Sequence, residues 1–540
     1  MVDFRGAASK PGALAVAILV VALLIFTPST GGVAASPASP PAAVDPAITS
    51  SLADPAGGGE VSVIVRLRPS VDPNTITEPS ENARRIELVN VLRSVNEHSL
   101  QSLAPGLDDA MRAGHIRDIS PLWIINGLSL KATATGIERL AQQAEVMSIA
   151  LDQKVPAPAV TAGAVDPEAQ SEDNLNAIGA PALWDLGFAG LSTVVASMDT
   201  GVDLSHPDIA GQWRAGSNSW FDPNGQHAAP ADVNGHGTWT MGVMIGGDGG
   251  GSHIGVAPEA RWIAVKIFDD SGTALFSRIH LGFQWLLDPD GDPVTDDAPN
   301  VVNNSWGLSS PGCNLEFQPD IQALLTGGIL PVFAAGNYGP NGDTSISPAN
   351  YPESLAVGAV DNSGAIYSSS SRGPSACGEA PTTYPDLVAP GVNIRTADLY
   401  SGFVRVTGTS LSAPHVAAGA ALLRGAFPEG PALLVWSALE QSSFDLGAAG
   451  ADNEFGKGLV DLSAAFGLLT EDLGQPLVRG DADCDLDVTT NDASLIAAGV
   501  TGLAEIPCST AADANRDGTT SMADALIVSR LVLGLVDRLP

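Results

Sequence analysis

Basic residues are scarce in this sequence: 25 lysines and arginines stand against 60 aspartates and glutamates, giving a formal net charge of −35. Such an excess repels nucleic-acid phosphates and anionic membrane surfaces, so both are excluded as partners. Lysine is especially rare, which fits either a surface adapted to salt or a genome rich in arginine codons. The lysines are Lys10, Lys131, Lys154, Lys266 and Lys457.

Cysteine is also rare. Four cysteines in 540 residues exclude a disulfide-rich scaffold, while the even number allows two bridges in an oxidising compartment. Cys313 and Cys377 fall in one predicted domain and Cys484 and Cys508 in another, so we expect pairing within each domain. Apolar residues make up 44% and charged residues 16%, a balance typical of a chain with a hydrophobic core.

Beyond the N-terminus, the sequence lacks apolar runs long enough to span a bilayer. Arg5 and Lys10 precede an apolar run from Ala13 to Phe26, which is shorter than the roughly 20 residues of a spanning helix, and small residues follow up to Ala35. This pattern predicts a signal peptide, residues 1–35; an uncleaved anchor is the alternative. We therefore expect a secreted, extracellular protein, either free or associated with the cell surface.

The next segments alternate between loose and patterned sequence. Residues 36–60 are rich in Pro, Ala, Ser and Gly, which predicts a linker. Residues 61–155 predict a small α/β domain, and residues 156–173 form a second loose segment. The predicted strands of the small domain are Val61–Leu67, Leu128–Ala132 and Val146–Leu151, and its helices are Asn82–Leu103 and Gly136–Ala144.

In the large block, residues 174–467, short apolar strands alternate with helices. This alternation predicts an α/β fold, a parallel sheet with helices on both faces and active residues at the carboxyl ends of its strands. The predicted elements include Thr193–Met198, Trp262–Phe268, Phe276–Leu287, Asn300–Asn304, Ile329–Ala335 and Ser412–Phe427.

Three segments of this block place a reactive residue beside glycines, where a substrate backbone can approach. They are Ser197-Met-Asp199-Thr-Gly, Asn234-Gly-His236-Gly-Thr and Gly408-Thr-Ser410-Leu-Ser. A serine hydroxyl becomes a strong nucleophile when an imidazole takes its proton, and a carboxylate orients that imidazole and stabilises its charge. Asp199, His236 and Ser410 supply these three roles. Taken by itself, Ser410 is better explained as a helix cap, the commonest use of Ser before an apolar run, and its combination with the Asp and His motifs reverses that preference.

Together these motifs resemble those of the subtilisin-like serine peptidases, the subtilases, which share the chain order Asp, His, Ser. The resemblance covers roughly Asn174 to Phe466. It implies that Asn337, in Ala334-Ala-Gly336-Asn, cradles the oxyanion together with the serine N–H. It also implies substrate-binding segments on both rims of a cleft. These candidates are Ser271, Gly272, Ser305, Trp306, Gly307, Ala334, Gly336 and Ile346.

Two positions depart from the subtilase pattern. Ser412 stands where relatives usually have alanine, which is a small change. Ile346 falls near a position that is often glycine at the floor of the specificity pocket. We therefore expect a shortened pocket that favours small or medium apolar side chains before the cut bond.

The small α/β domain resembles the propeptides that precede subtilases, through its position and through Ile125-Asn-Gly-Leu-Ser-Leu-Lys. The resemblance implies that residues 61–155 assist folding and block the cleft until they are removed. Residues 156–173 are then the processing segment. An independent binding module is the alternative.

The C-terminal region, residues 478–540, contains two acidic loops with oxygen ligands at alternate positions, each followed by an apolar helix. This arrangement can wrap six to eight oxygens around calcium, and the pair resembles a dockerin domain, which implies a cohesin partner. Gly518 supplies the sharp turn of the second loop, whereas Leu486 stands there in the first, which is the weaker site. The candidate ligands are Asp481, Asp483, Asp485, Asp487, Asp492, Asp513, Asn515, Asp517, Ser521 and Asp524.

Two further acidic segments lie inside the large block. Asp288, Asp290, Asp292, Asp296 and Asp297 imitate a calcium loop, but proline at its sixth and twelfth positions favours a solvated acidic insertion. Elsewhere, Asp208 and the Gly246–Ser252 segment fall where many subtilases hold a structural calcium.

The sequence thus predicts a secreted, propeptide-processed serine endopeptidase with calcium as cofactor, acting on proteins or peptides as a monomer. An inactive peptidase fold displayed by a binding protein is the rival from a different class. A serine esterase is less favoured, because Thr409-Ser410-Leu411 lacks the second glycine of Gly-x-Ser-x-Gly.

Overall fold

A computed structural model describes most of the chain beyond residue 40. The described residues are 41–53, 59–158, 172–378, 382–485, 487–515, 519–536 and 539. The predicted signal peptide, residues 159–171 of the processing segment, and the positions Leu486, Asp517 and Gly518 lie outside these ranges, so the expectations for them stay predictions.

The N-terminal α/β domain contains a five-stranded sheet in the order β1-β5-β2-β4-β3. Its core consists of aliphatic side chains shared between the sheet and the helices, such as Val63, Leu103 and Ile149. Its elements are β1 (Ala43–Val44), α1 (Ala47–Leu52), β2 (Glu60–Leu67), α2 (Glu81–Arg112), β3 (Ile116–Leu122), β4 (Gly127–Thr133), α3 (Ala134–Ala141) and β5 (Val146–Leu151).

Part of the segment predicted as a linker belongs to this domain. β1 pairs in parallel with β5, and α1 buries Ile48 in the domain core. The prediction of a linker over residues 36–60 is therefore wrong for residues 41–53. Their two elements are too short for a periodic pattern to show within a Pro- and Ala-rich stretch.

The large domain is built on seven parallel strands in the order β14-β13-β12-β11-β7-β9-β8, which confirms the predicted fold class. Two antiparallel pairs, β6 with β10 and β15 with β16, lie outside this sheet. The strands are β6 (Lys154–Pro156), β7 (Val194–Asp199), β8 (Trp220–Phe221), β9 (Arg261–Lys266), β10 (Thr273–Leu275), β11 (Val301–Asn304), β12 (Leu330–Ala334), β13 (Leu355–Val360), β14 (Leu387–Pro390), β15 (Ile394–Asp398) and β16 (Gly402–Val406).

Helices accompany this sheet, and two large apolar clusters form the core of the domain. Helix α10 runs through the core because it is rich in Ala and Gly: a Cβ on Gly419 would lie 2.5 Å from Leu462 Cδ2. The helices are α4 (Asp173–Ala177), α5 (Ala180–Asp185), α6 (Pro207–Ala210), α7 (His236–Ile245), α8 (Phe276–Leu287), α9 (Gln318–Thr326), α10 (Thr409–Ala426), α11 (Ala432–Ser442) and α12 (Leu462–Leu473).

The C-terminal module contains α13 (Thr490–Val500), α14 (Ser509–Ala512) and α15 (Met522–Val532). Each of the two longer helices begins with a capping box, in which Asp492 or Asp524 closes the first turn. The cysteines pair as Cys313–Cys377 and Cys484–Cys508, which confirms the expected pairing within each domain. Within the ranges given above, no helix combines the length and apolar character needed to cross a membrane.

Candidate active site

The predicted triad residues stand at the ends of three elements of the peptidase domain. Asp199 is the last residue of β7, His236 is the first residue of α7, and Ser410 lies in the first turn of α10. His236 Nδ1 lies 2.8 Å and 2.9 Å from the two oxygens of Asp199. The carboxylate also accepts the Thr200 N–H at 2.7 Å, which fixes it for orienting the imidazole.

His236 is buried, and its protonation is set by two opposing effects. Burial lowers the pKa of His236, but the negative charge of Asp199 and its hydrogen bond raise it more, and the resulting pKa is above its ordinary value. Within the described parts of the chain, His236 Nε2 is buried without a hydrogen-bond partner. This nitrogen is therefore available to accept a proton.

Ser410 is held close to the β11 loop. Its Oγ donates to the Ser305 carbonyl oxygen at 3.3 Å, and Ser305 Oγ donates back to the Ser410 carbonyl at 2.8 Å. The hydroxyl must leave the Ser305 carbonyl before it can engage His236 Nε2. Catalytic hydrogen bonds are often made only when substrate binds.

Asn337 faces the start of α10 with a fixed amide. Its Oδ1 accepts from both the N–H and the hydroxyl of Thr409, at 3.1 Å and 3.2 Å. Its Nδ2 and Oδ1 lie 3.6 Å and 3.7 Å from where a Cβ on Gly408 would stand. The amide is thus anchored beside the nucleophile segment, where an oxyanion donor is required.

Comparisons with known proteins fit this geometry. The family model described as "Subtilase family" matches residues 190–458. Subtilisin from Bacillus pumilus is 32% identical over 54% of this chain and 97% of its own length. The chain belongs to the subtilase family.

Two other relatives extend the comparison. Subtilisin E of Bacillus subtilis (strain 168) is 34% identical over 54% of this chain and 70% of its own length. Bacillopeptidase F of the same strain is 34% identical over 74% of this chain, a match that reaches beyond the peptidase domain. That match spans only 30% of the length of bacillopeptidase F.

A cleft of about 410 Å³ lies beside Ser410 in this subtilase. Most of the predicted substrate-binding residues line it: Ser305, Trp306, Gly307, Ala334, Gly336 and Ile346. Ile346 is packed between the two glycines, because a Cβ on Gly307 or Gly336 would lie 2.4 Å or 2.7 Å from its Cδ1. The structure therefore places Ile346 in the cleft lining, where a bulky side chain reduces its depth.

Three candidate residues have more limited roles in this cleft. The Trp306 ring is buried and packs against Phe317 and Phe333, so its side chain belongs to the core. Ser271 is exposed and hydrogen-bonds Asp269 at 2.6 Å, which closes the rim turn. Gly272, in the same turn, accepts the Ala157 N–H through its carbonyl at 2.8 Å.

The segment that follows the N-terminal domain enters the cleft. β6 pairs antiparallel with β10 on the rim, in the register Lys154 to Leu275 and Pro156 to Thr273. Beyond the strand, Ala157 and Pro158 line the same cleft as Ser410 and Asn337. The chain thus presents its own backbone to the rim as an added strand.

The C-terminal loops bring only some predicted ligands together. Oxygens of Asp481, Asp483 and Asp485 lie within 4.8 Å of one another, a spacing that fits one calcium ion. Asp492 and Asp524 accept backbone N–H groups at both oxygens: one from the helix N-cap residue and one from the loop before it. Within the described residues, Asp487 and the second loop show no comparable cluster.

The segment Asp288–Asp297 is solvated in its middle but not at its two ends. Asp288 and Asp297 are 4% and 5% exposed, and with Asp290 they bring three carboxylate oxygens within 4.8 Å of one another. The expectation is therefore wrong for Asp288 and Asp297, because the loop folds back against the domain at both ends, and it holds for Asp290, Asp292 and Asp296, which are exposed.

Near Asp208, an arginine already supplies positive charge. The Asp208 carboxylate accepts the Gly250 N–H at 3.3 Å, while Arg395 donates to the Gly250 carbonyl at 3.1 Å. Arg395 is 1% exposed. A calcium ion at this position remains a prediction.

Sequence reasoning missed residues that position the catalytic groups. Thr409 holds the Asn337 amide through its backbone N–H. The buried Lys266 donates from Nζ to the carbonyl of Thr200, the residue after Asp199, at 2.8 Å. Thr409 adjoins Ser410 and could have been suspected from that position. Lys266 carries no local signal, since its role depends on the pairing of β7 with β9.

Proposed function

We propose that this subtilase is a secreted serine endopeptidase that hydrolyses peptide bonds in proteins through an acyl-enzyme. Two observations carry the proposal: His236 and Asp199 form a buried hydrogen-bonded pair, and Ser410 and Asn337 line the same cleft. A purely binding protein with an inactive peptidase fold does not require the buried Asp199–His236 pair or an Asn337 amide anchored on Thr409. Neither feature supports the rival function.

In the proposed reaction, Ser410 Oγ turns from the Ser305 carbonyl and attacks the scissile carbonyl carbon while His236 Nε2 takes its proton. Asp199 stabilises the imidazolium through Nδ1–H. His236 then gives this proton to the leaving amine, and the acyl group stays on Ser410 Oγ. A water molecule, activated by the same nitrogen, releases the acid product and restores the serine.

The negative charge that forms on the substrate oxygen requires donors that are already in place. Asn337 Nδ2 is one, held by the contacts of its Oδ1 with Thr409. The backbone N–H of Ser410 is the second, because N–H groups in the first turn of a helix lack intrahelical partners. Loss of one such donor costs about 3 kcal/mol of transition-state stabilisation.

The N-terminal domain is proposed to be a propeptide that keeps the enzyme inactive. β6 and the residues after it occupy the cleft, where a substrate backbone would bind. Ion pairs hold the domain against the peptidase: Arg66 Nη2 to Glu316 Oε1 at 2.9 Å, and Arg424 Nη1 to Glu81 Oε2 at 2.8 Å. Cleavage within residues 156–173 would free the cleft.

The C-terminal module is proposed to bind calcium in the manner of a dockerin. Asp481, Asp483 and Asp485 would hold an ion in the first loop, and Asp513 with Asn515 would contribute in the second. The bound ion would neutralise acids that otherwise repel one another. A cohesin-like partner would account for extracellular attachment.

A pair of serine variants on one helix tests the catalytic proposal. Ser410→Ala should lower kcat/KM for peptides by several orders of magnitude and leave the N-terminal domain attached, because only binding and the oxyanion donors remain. Ser412→Ala is the matched control: this serine is buried two residues further on, and its Oγ has no partner among the described residues.

The measurements are initial rates on a peptide mixture and N-terminal sequencing of the secreted product. The Ser412→Ala protein should retain both hydrolysis and processing. A Ser410→Ala protein that matures and hydrolyses peptides at the normal rate would show that the serine-peptidase proposal is wrong.

A further inference from the structure

The segment Asp288–Asp297, the acidic loop, joins α8 to β11. It is distant in sequence from all three triad residues. One carboxylate oxygen from each of Asp288, Asp290 and Asp297 lies within 4.8 Å of the other two. Calcium binds oxygens at about 2.3–2.6 Å, so ligands on opposite sides of one ion are separated by up to about 5 Å. All three carboxylates can therefore contact a single ion.

Asp297 gives this cluster a buried carboxylate oxygen that no donor among the described residues satisfies. The residue is 5% exposed, and its Oδ2 accepts from Asn218 Nδ2 at 3.0 Å. Its Oδ1 is buried and has no hydrogen-bond partner in the described parts of the chain. Burial raises the pKa of Asp297, and this effect, with the charges of Asp290 and Asp288, outweighs the hydrogen bond from Asn218 and the charge of Arg214, which lower it. A buried carboxylate oxygen without a donor is unfavourable unless a cation contacts it.

An arginine of the N-terminal domain now supplies part of that charge. Arg93, on α2, places Nη1 2.6 Å from Asp288 Oδ2 and donates to the Gly291 carbonyl at 3.2 Å. The guanidinium is held over the Trp123 ring at 5.0 Å. It thus occupies one carboxylate and one carbonyl oxygen of the loop, and both are oxygen types that calcium prefers.

Two further cations contact the loop. Arg85, also on α2, lies 3.6 Å from Asp296 and donates to the Thr295 carbonyl at 3.0 Å. Arg214, in the peptidase domain, donates to the Asp297 carbonyl at 2.5 Å. When the N-terminal domain leaves, only Arg214 of these three stays with the loop.

We propose that the acidic loop is a calcium site and that the ion and Arg93 exclude each other. With Arg93 in place, its positive charge repels an incoming cation and blocks Asp288 Oδ2 and the Gly291 carbonyl. Without it, these two oxygens join Asp290 and Asp297 around the ion. The exchange between the ion and Arg93 does not depend on catalysis. That removal of the N-terminal domain, with Arg93, frees the site for the ion rests on the proposed function.

Terbium luminescence tests the site in the full chain. Every protein compared carries Ser410→Ala, so the chain stays whole. The terbium emission therefore does not depend on whether the serine-peptidase proposal is correct. Trp285 lies at the end of α8, and its carbonyl accepts the Asp288 N–H at 3.1 Å, so it can sensitise terbium in the loop. Residues 478–540 contain no Trp, Tyr or Phe, so the C-terminal loops lack a local donor.

Arg93→Gln removes the competing charge. In that variant we expect sensitised terbium emission that is lost when calcium displaces terbium. The terbium concentration at half-saturation should be at least about tenfold lower than in the protein that keeps Arg93, because a full positive charge beside the site has been removed. Asp297→Asn should abolish this emission while keeping an acceptor for Asn218. Asp292→Asn is the matched control, since it lies on the same loop, is exposed and stands outside the cluster.

Thermal melting shows whether each variant is folded. If Asp297→Asn does not fold, the exposed Asp290 takes its place as Asp290→Asn. Absence of emission in the Arg93→Gln protein overturns the proposal. Emission that survives both cluster variants overturns it as well, and so does equal affinity with and without Arg93.

Discussion

Ile346 is the residue through which side-chain preference can be changed most directly. Ile346→Ala should deepen the cleft and shift cleavage from small side chains toward Phe and Tyr, because the ring no longer meets the branched side chain between Gly307 and Gly336. The ratio of kcat/KM for Phe over Ala peptides should rise at least about tenfold, within the range of one to three kcal/mol typical of apolar pockets.

The control for this variant is Ile279→Ala. Ile279 is fully buried on α8, away from the cleft lining. Both variants lose similar core volume, at about 2–5 kcal/mol of stability, but only the first should alter the Phe to Ala ratio. An unchanged ratio in Ile346→Ala would mean that another residue limits the pocket.

His236 fixes the pH dependence of the reaction. As the general base it must be neutral, and its pKa is raised by Asp199 in spite of burial. We expect kcat/KM to fall as the pH drops through a value above the ordinary histidine pKa of about 6.5. Asp199→Asn should move this acidic limb to lower pH and lower the maximum rate. If the acidic limb of the kcat/KM profile stays at the same pH in Asp199→Asn, the group that titrates there is not His236.

The residues of the site differ in how far the sequence predicts them. Asp199, His236 and Ser410 each lie in a short glycine-containing motif, so local sequence is sufficient. Lys266 depends on strand pairing. The acidic loop could not be predicted because Arg93, which contacts it, lies on a helix of another domain.

At the scale of elements, α8 and α9 are joined by a buried charge cluster. His280 Nδ1 lies 2.8 Å from Asp320 Oδ1, and Nε2 lies 3.1 Å from Glu316 Oε1. Burial lowers the pKa of His280, but these two carboxylates outweigh it and raise the pKa to about 9. Arg66 of the N-terminal domain contacts Glu316 from the other side.

This cluster predicts a loss of stability at alkaline pH. Because the folded pKa of His280 is above its unfolded value, its contribution is fully present below about pH 6.5 and is lost as the pH rises through about 9. The contribution is on the order of 3 kcal/mol. Urea midpoints of the Ser410→Ala protein should therefore fall between pH 6.5 and 9, and His280→Gln should flatten that decline. Parallel curves for the two proteins would contradict the assignment.

Elements were predictable where their pattern was long and regular. Helix α8 has the predicted bounds, since its apolar periodicity is uninterrupted. Helix α2 continues past the predicted end at Leu103 to Arg112, because Leu107 and Ala110 keep the same face buried. β3 was missed, since Arg117 and Asp118 interrupt its alternation and its register shifts between Arg117 and Ser120.

At the scale of the whole molecule, the C-terminal module is small and dense in negative charge. A fragment of residues 478–540 should be largely unfolded in chelator and helical with calcium, gaining about 2.7 kcal/mol at a calcium concentration of 100 times Kd. Circular dichroism measures this. Asp513→Ala should be more damaging than Asp481→Ala, because the first loop already lacks its turn glycine. Identical spectra with and without calcium would remove the metal assignment.

If the N-terminal domain is the proposed propeptide, the pairing of β6 with β10 also determines how the proposed inhibition depends on dilution. While the chain is intact, β5 and β6 are continuous, and the effective concentration of the blocking strand at the cleft is on the order of millimolar or above, whatever the protein concentration. A cut between the two domains turns this into an ordinary bimolecular equilibrium. In a secreted, propeptide-inhibited enzyme as proposed above, these contacts would then weaken as the protein is diluted outside the cell, and dilution would itself start the activity.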